Sequence, residues 1–188
     1  MTKTNLDNWI ADLHKTKTKH YVSLLEQGKI PLRPGVARLI HQLREDGIKI
    51  AIATTTTPEN VTALLKSTLG KDSPSWFDVI GAGDIVPKKK PAPDIYFWVL
   101  EQLKLSAHQC IAIEDSENGL NSAHAAKVPT LITVNGYTRQ QTFTNALAIL
   151  SDLGEPAQPF TEITNNTSNI LSGQYIDTGI LNSLLEDQ

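Results

Sequence analysis

A chain of 188 residues, 40% apolar and 20% charged, has the composition of an ordinary globular protein and is long enough for one full core. Its net charge of −3 argues against nucleic acid or an anionic membrane as partner, and no apolar run approaches the length of a membrane span. The single cysteine, Cys110, excludes an intramolecular disulfide and fits a reducing cytoplasm, where inert packing is expected of that thiol.

The segment from about Asn5 to Gln27 reads as a helix. Trp9, Ile10, Leu13, Tyr21, Leu24 and Leu25 supply its apolar positions, and Lys15, Lys17, Lys19 and His20 crowd its middle. Gly28 closes it, and Pro31 and Pro34 turn the chain into the next unit. Val36, Leu39, Ile40 and Leu43 have helical spacing, ended by Gly47; Ile48 to Ala53 is a strand broken only by Lys49. Thr57-Pro58-Glu59 opens a helix through Val61, Leu64, Leu65 and Leu69. Trp76 to Ile80 is predicted as a strand, followed by a Gly81-Ala82-Gly83-Asp84 loop. Pro93 and Asp94 open a helix through Tyr96, Val99, Leu100 and Leu103. A strand is predicted from Cys110 to Ile113, a helix from Gly119 to Lys127, and the last clear strand from Thr130 to Val134. Beyond Leu153 the chain turns polar, with Pro156, Pro159 and an Asn/Thr/Ser cluster from Thr164 to Asn169. A short apolar helix, Ile180 to Leu185, is expected to dock this tail back. Strands alternating with helices imply parallel βαβ units and a three-layer α/β fold.

Three strand ends carry chemistry, at the place where open parallel sheets bind ligands. After Ile50 to Ala53 comes Thr54-Thr55-Thr56-Thr57. Hydroxyls and the free N–H groups of a helix start can cradle a phosphate, although Thr57 as a simple N-cap is the plainer account. The second motif is Pro87-Lys88-Lys89-Lys90-Pro91-Ala92-Pro93-Asp94. At least one of these lysines is solvated surface, but Lys90, held between prolines ahead of a helix, is a fixed point charge suited to a phosphoryl group and nearby carboxylates. The third is Glu114-Asp115, two acids where a buried strand emerges, followed by Ser116 and Asn118-Gly119. Adjacent acids there require a cation or form a solvated turn, and oxygen donors of this kind suit Mg²⁺. Hydroxyl, lysine and acidic pair together describe a Mg²⁺-dependent phosphoryl-transfer site.

The order of Thr after an apolar strand, then Lys-Pro-Ala-Pro-Asp-Ile-Tyr, then Glu-Asp-Ser resembles motifs II, III and IV of the haloacid dehalogenase superfamily. The segments Pro31 to Val36, Ala53 to Asn60 and Trp76 to Ile80 most resemble its CbbY-like sugar-phosphate phosphatases, relatives of β-phosphoglucomutase. The resemblance implies a Rossmann-like core over residues 31–188 and a remnant of a helical cap over residues 1–30. It implies that Thr54, helped by Thr55, binds the transferring phosphoryl group and that Lys90 neutralises its oxygens. Glu114 and Asp115 would hold Mg²⁺, with Ser116 and Asn118 orienting them. His14, Lys15, Lys17 and Tyr21 would be substrate contacts from the cap, although a solvated helix face accounts for each singly. Arg33 would serve either substrate or structure. The implied partner is a small phosphorylated metabolite, and a monomer is the expectation for the full-length protein.

The family's nucleophile is the first Asp of an Asp-x-Asp-Gly-Thr motif, which forms an aspartyl-phosphate, and its second Asp is the general acid and base. No Asp-x-Asp occurs in these 188 residues. Asp7, Asp12, Asp84 and Asp152 are no substitutes. In the family's strand order, 5-4-1-2-3, the motif ends the central strand. The chain therefore reads as lacking that strand, leaving the strands ending at Ala53 and Ile113 without their shared neighbour. Each unsatisfied buried backbone group would cost roughly 1–3 kcal/mol. The chain alone is expected to be inactive and to fold poorly. A β-phosphoglucomutase-type phosphotransferase would share every motif, and a non-catalytic module would keep phosphate or Mg²⁺ affinity without turnover. A receiver domain would need its acidic cluster ahead of the Thr and Lys.

Overall fold

Helices and strands alternate from Val36 to Thr133 in the computed structural model, which describes residues 3–165 and 175–186. Helix α1 (Lys3–Glu26) precedes them and packs against α3 (Pro58–Leu69). Leu25 of α1 is buried, whereas Leu6, Trp9, Ile10 and Leu13 form an exposed apolar stripe at helical spacing. Among the described residues no helix is long and apolar enough to cross a membrane.

The strands are β1 (Ala51–Ala53), β2 (Val79–Gly81), β3 (Ala112–Glu114), β4 (Thr130–Thr133), β5 (Ala148–Leu150) and β6 (Glu162–Asn165). They form two sheets. In one, β1 runs parallel to β2, with Ala51 opposite Val79 and Ala53 opposite Gly81. The other has the order β3-β4-β5-β6, parallel except for the antiparallel edge strand β6.

Side-chain alternation along β4 builds the layers. Leu131 points to one face, where Leu39 of α2 (Val36–Glu45) and Leu184 of α6 (Thr178–Glu186) join Ala148, Leu150 and Ile176. Ile132 points to the other, against Leu120 of α5 (Glu117–Ala125), while Ile95 and Tyr96 of α4 (Asp94–Leu103) pack with Ala112 and Ala123. Val61 and Leu65 of α3 cover Ile52 and Ile80 of the two-stranded sheet. The three-layer α/β architecture read from the sequence is present, and α6 docks back as expected.

Arg38 ties the far end of the chain to α2. Its guanidinium donates to Glu155 Oε2 at 3.0 Å, to the Gly154 carbonyl at 2.8 Å and to the Ile176 carbonyl at 2.9 Å. Gly35 makes the same approach possible, because at φ +82° a Cβ there would lie 2.5 Å from the Gly154 oxygen.

Several boundaries differ from the sequence reading. The strand expected at Trp76 starts only at Val79, because Ser73–Trp76 closes a 3₁₀ turn. Cys110 likewise ends a 3₁₀ turn rather than opening β3. Thr130–Thr133 is not the last strand: β5 and β6 follow it. Residues 166–169 of the expected polar cluster lie outside the described residues.

Among the described residues β1 pairs only with β2, and β3 pairs only with β4 on that side of its sheet. Their remaining edges line a single cleft of about 540 Å³, with Ile48 and Ala51 on one wall and Ile111 and Ile113 on the other. Leu103, Leu181 and Leu185 line it as well. Ile113, in mid-strand, is left 39% exposed. The strands ending at Ala53 and Glu114 thus stand in separate sheets with an apolar gap between them.

Candidate active site

The three chemical motifs meet at the carboxyl end of this gap. The Lys90 ammonium donates to the Ala53 carbonyl, the last residue of β1, at 2.9 Å. It also donates to Oε1 of Glu114, the last residue of β3. With the Lys90 side chain 12% exposed and that of Glu114 10%, this is a nearly buried ion pair reaching from one sheet to the other. The Lys90-Pro91 peptide is cis, and the Pro93 carbonyl accepts the first backbone bonds of α4.

Tyr96, in the first turn of α4, donates its hydroxyl to the same Glu114 Oε1, and its ring centroid lies 5.1 Å from the Lys90 ammonium. Burial, then the charge of Glu114 and the hydrogen bond to it, hold the phenol protonated well above its ordinary range. On the other oxygen, Oε2, the carboxylate lies against Gly119 in the first turn of α5. Only a residue without a side chain leaves that space.

Asp115 is placed differently. Successive residues of an extended segment point to opposite sides, so Glu114 turns inward while Asp115 is exposed. One oxygen of Asp115, Oδ2, accepts from Asn135 Nδ2 at 3.3 Å. Asn135 is fixed in turn: its Oδ1 accepts the Tyr137 N–H at 2.8 Å, and its own N–H donates to Thr138 Oγ1 at 3.0 Å. Among the described residues no three His, Cys, Asp or Glu side chains cluster as a ready metal cage. The donor chemistry still suits Mg²⁺, which keeps several waters and takes one or two carboxylates. Asp115 offers an open oxygen for this, whereas Glu114 already receives two donors on Oε1.

Thr54 follows Ala53, so it sits beside the Lys90 contact. Its N–H donates to the Gly81 carbonyl at 2.9 Å, and its hydroxyl oxygen accepts the Thr56 N–H at 3.2 Å, leaving the O–H free to donate. Thr55 is exposed. Thr57 caps α3 by accepting the Asn60 N–H at 3.4 Å, the plainer role anticipated for it.

The other sequence candidates lie apart from this cluster or serve other ends. Arg33 is taken up by the core: it donates to the Thr133 carbonyl at 2.9 Å, the Thr133 hydroxyl at 3.1 Å and the Val134 carbonyl at 2.5 Å, and also to the Ser151 carbonyl. Lys15 is 76% exposed, with Asp12 as its ion-pair partner at 3.7 Å. Ser116 caps α5 by accepting the Gly119 N–H at 3.2 Å, and Asn118 is exposed with no side-chain hydrogen bond among the described residues. Lys89 pairs with Asp84 at 2.7 Å on the surface. Sequence reasoning did not single out Tyr96, Gly119 or Asn135. The alternation rule applied to Glu114-Asp115 would have separated the two acids.

Known proteins resemble this chain over much of its length. A family described as haloacid dehalogenase-like hydrolase matches residues 6–127, more than half of the chain. CbbY, encoded on a plasmid of Cupriavidus necator, is 49% identical over 150 residues, which cover 80% of this chain and 59% of that protein. The crystal structure of CbbY from Rhodobacter sphaeroides with phosphate superposes with a TM-score of 0.72 at 43% identity, covering 76% of this chain and 64% of that one. A mutant of that protein, crystallised with xylulose-1,5-bisphosphate, gives 0.73 at 42% identity, over 79% and 67% of the two chains. This chain therefore spans about three fifths of the plasmid-encoded relative's length.

Proposed function

Because the chain belongs to the haloacid dehalogenase-like hydrolases, we propose that its strand-end cluster is the phosphoryl-binding part of a Mg²⁺-dependent phosphatase for a small phosphorylated sugar. One observation carries this reading: a single ammonium, that of Lys90, joins the end of β1 beside Thr54 to the end of β3 beside Asp115. The complex of a CbbY mutant with xylulose-1,5-bisphosphate supports the substrate class.

In this reading the free O–H of Thr54 and the remaining N–H of Lys90 bind phosphoryl oxygens, and the exposed Thr55 adds to the cradle. Asp115, oriented by Asn135, would hold the Mg²⁺. Bound there, the ion would supply charge neutralisation for the phosphoryl group. Glu114 acts as counter-ion to Lys90 rather than as an open ligand. Ser116 contributes by starting α5, and Arg33 by holding β4 to the segment after β5. Hydrolysis through an aspartyl-phosphate needs a carboxylate from outside these 188 residues, since no Asp-x-Asp lies within them.

Titration of the chain with inorganic phosphate and with Mn²⁺ as a spectroscopic stand-in for Mg²⁺ tests the site. K90A is expected to weaken phosphate, and D115N to weaken Mn²⁺, each by roughly tenfold or more. Wild-type affinity in both variants would overturn the assignment. Turnover of a sugar phosphate by the 188 residues alone would overturn the placing of the nucleophile outside them.

A further inference from the structure

We infer that Tyr96 is a positioning residue for Lys90: its hydroxyl on Glu114 and its ring beside the ammonium fix where Lys90 presents its free N–H. The inference rests on the phosphoryl-site reading only for what that N–H then binds.

An ammonium on a four-carbon stem has three donors and many rotamers. Two of the donors are engaged, by the Ala53 carbonyl at 2.9 Å and by Glu114 Oε1. The direction of the third depends on how firmly Glu114 is held. Lys90 cannot hold it alone, because each of the two could swing with the other. Tyr96 supplies the fixed point. It is 8% exposed, belongs to the first turn of α4, and is anchored there by its N–H on the Pro93 carbonyl at 2.9 Å. Its hydroxyl shares Glu114 Oε1 with Lys90, and its ring centroid is 5.1 Å from the ammonium. One rigid side chain therefore touches both members of the pair. A buried phenol needs a partner in any case, and that bland account predicts loss of stability on removal but no selective change at Lys90.

The test is the rate at which an acylating reagent modifies each lysine of the native chain, read by mass spectrometry in wild type, Y96F, E114Q and the double variant. Lys49 is the internal control, since its ammonium is likewise held, on the Leu103 carbonyl at 3.0 Å. In Y96F, Lys90 is expected to react roughly tenfold faster or more, the loss of one hydrogen bond to a charged group, with Lys49 unchanged. The double variant is expected to react no faster than E114Q, because the hydroxyl acts through that carboxylate. An unchanged Lys90 rate, an equal rise at Lys49, or additive effects would each overturn the inference. Independently of any variant, proton NMR of the wild type is expected to show the Tyr96 hydroxyl proton protected from exchange, and its rapid exchange would overturn it too. A parallel titration with inorganic phosphate separates the two readings. If Lys90 responds selectively but no phosphate binds, the phosphoryl-site assignment fails and the role of Tyr96 stands.

Discussion

Gly119 carries no side chain where the carboxylate of Glu114 lies: a Cβ there would sit 2.0 Å from Oε2 and 2.4 Å from Cδ. Replacing a helical glycine by alanine ordinarily stabilises a protein by about 0.5–1 kcal/mol. Here the sign reverses. G119A must push the carboxylate off Lys90 and Tyr96, and disrupting a buried ion pair costs about 3 kcal/mol. Urea denaturation of G119A is expected to show that loss, and a stabilised variant would mean that Glu114 does not occupy this position.

Arg33 distinguishes a structural from a substrate role. Its guanidinium reaches carbonyls of Thr133, Val134 and Ser151 with two nitrogens at once, a geometry that a single ammonium cannot reproduce. R33K is therefore expected to lose about 2–3 kcal/mol of stability while binding inorganic phosphate as the wild type does. A large phosphate defect in a fully stable R33K protein would return this residue to the substrate.

Burial pushes the Cys110 thiol up from its ordinary value of 9.0. The thiolate is the reactive form, so alkylation of native Cys110 should be slower than that of the urea-unfolded chain below pH 9 and should keep rising above it. The linkage has a definite sign. The folded thiol keeps its proton to higher pH than the unfolded one, so this group's contribution to stability is complete below the unfolded value and declines as pH climbs past it. Alkylation rates across a pH series, folded against unfolded, provide the check.

The cleft between β1 and β3 has one edge of each strand, largely apolar walls, and the Lys90 ammonium bound to Ala53 at the end of β1. An extended apolar peptide of about six residues, spanning roughly 20 Å and followed by an aspartate, could lay its backbone along these edges and bring its carboxylate toward the Lys90 ammonium, in competition with Glu114. Cys110 lines the cleft, so adding such a peptide is expected to slow its alkylation several-fold, as a strand occupying the gap would. The same peptide with lysine in place of aspartate should protect less. Equal protection by both would remove the charge argument.

Much of the site was legible because its residues interrupt strong patterns. Lys90 stands between prolines ahead of a helix, and Glu114 and Asp115 end an apolar run; the structure brings both motifs to one place. What escaped was relational. Tyr96 and Gly119 read as an apolar-face residue and a turn, and only the fold puts them against the two oxygens of one carboxylate. Glu114 and Asp115 are adjacent in sequence, but the extended backbone sends them to opposite sides, Glu114 onto Lys90 and Tyr96 and Asp115 to the exposed face beside Asn135. Strand β6, Glu-Ile-Thr-Asn, carries no apolar run to mark it, and β5, Ala-Ile-Leu, follows the last helix–strand alternation with no helix between it and β4.

The Lys90 ammonium has one foot in each sheet, on Ala53 and on Glu114. Occupancy of the site and separation of the sheets are therefore not independent variables. A ligand that draws on this ammonium competes with the two contacts that bridge the gap, and a strand that enters the gap beside them would change the ammonium's freedom to meet a ligand. By thermodynamic reciprocity, each event must help or hinder the other to the same extent.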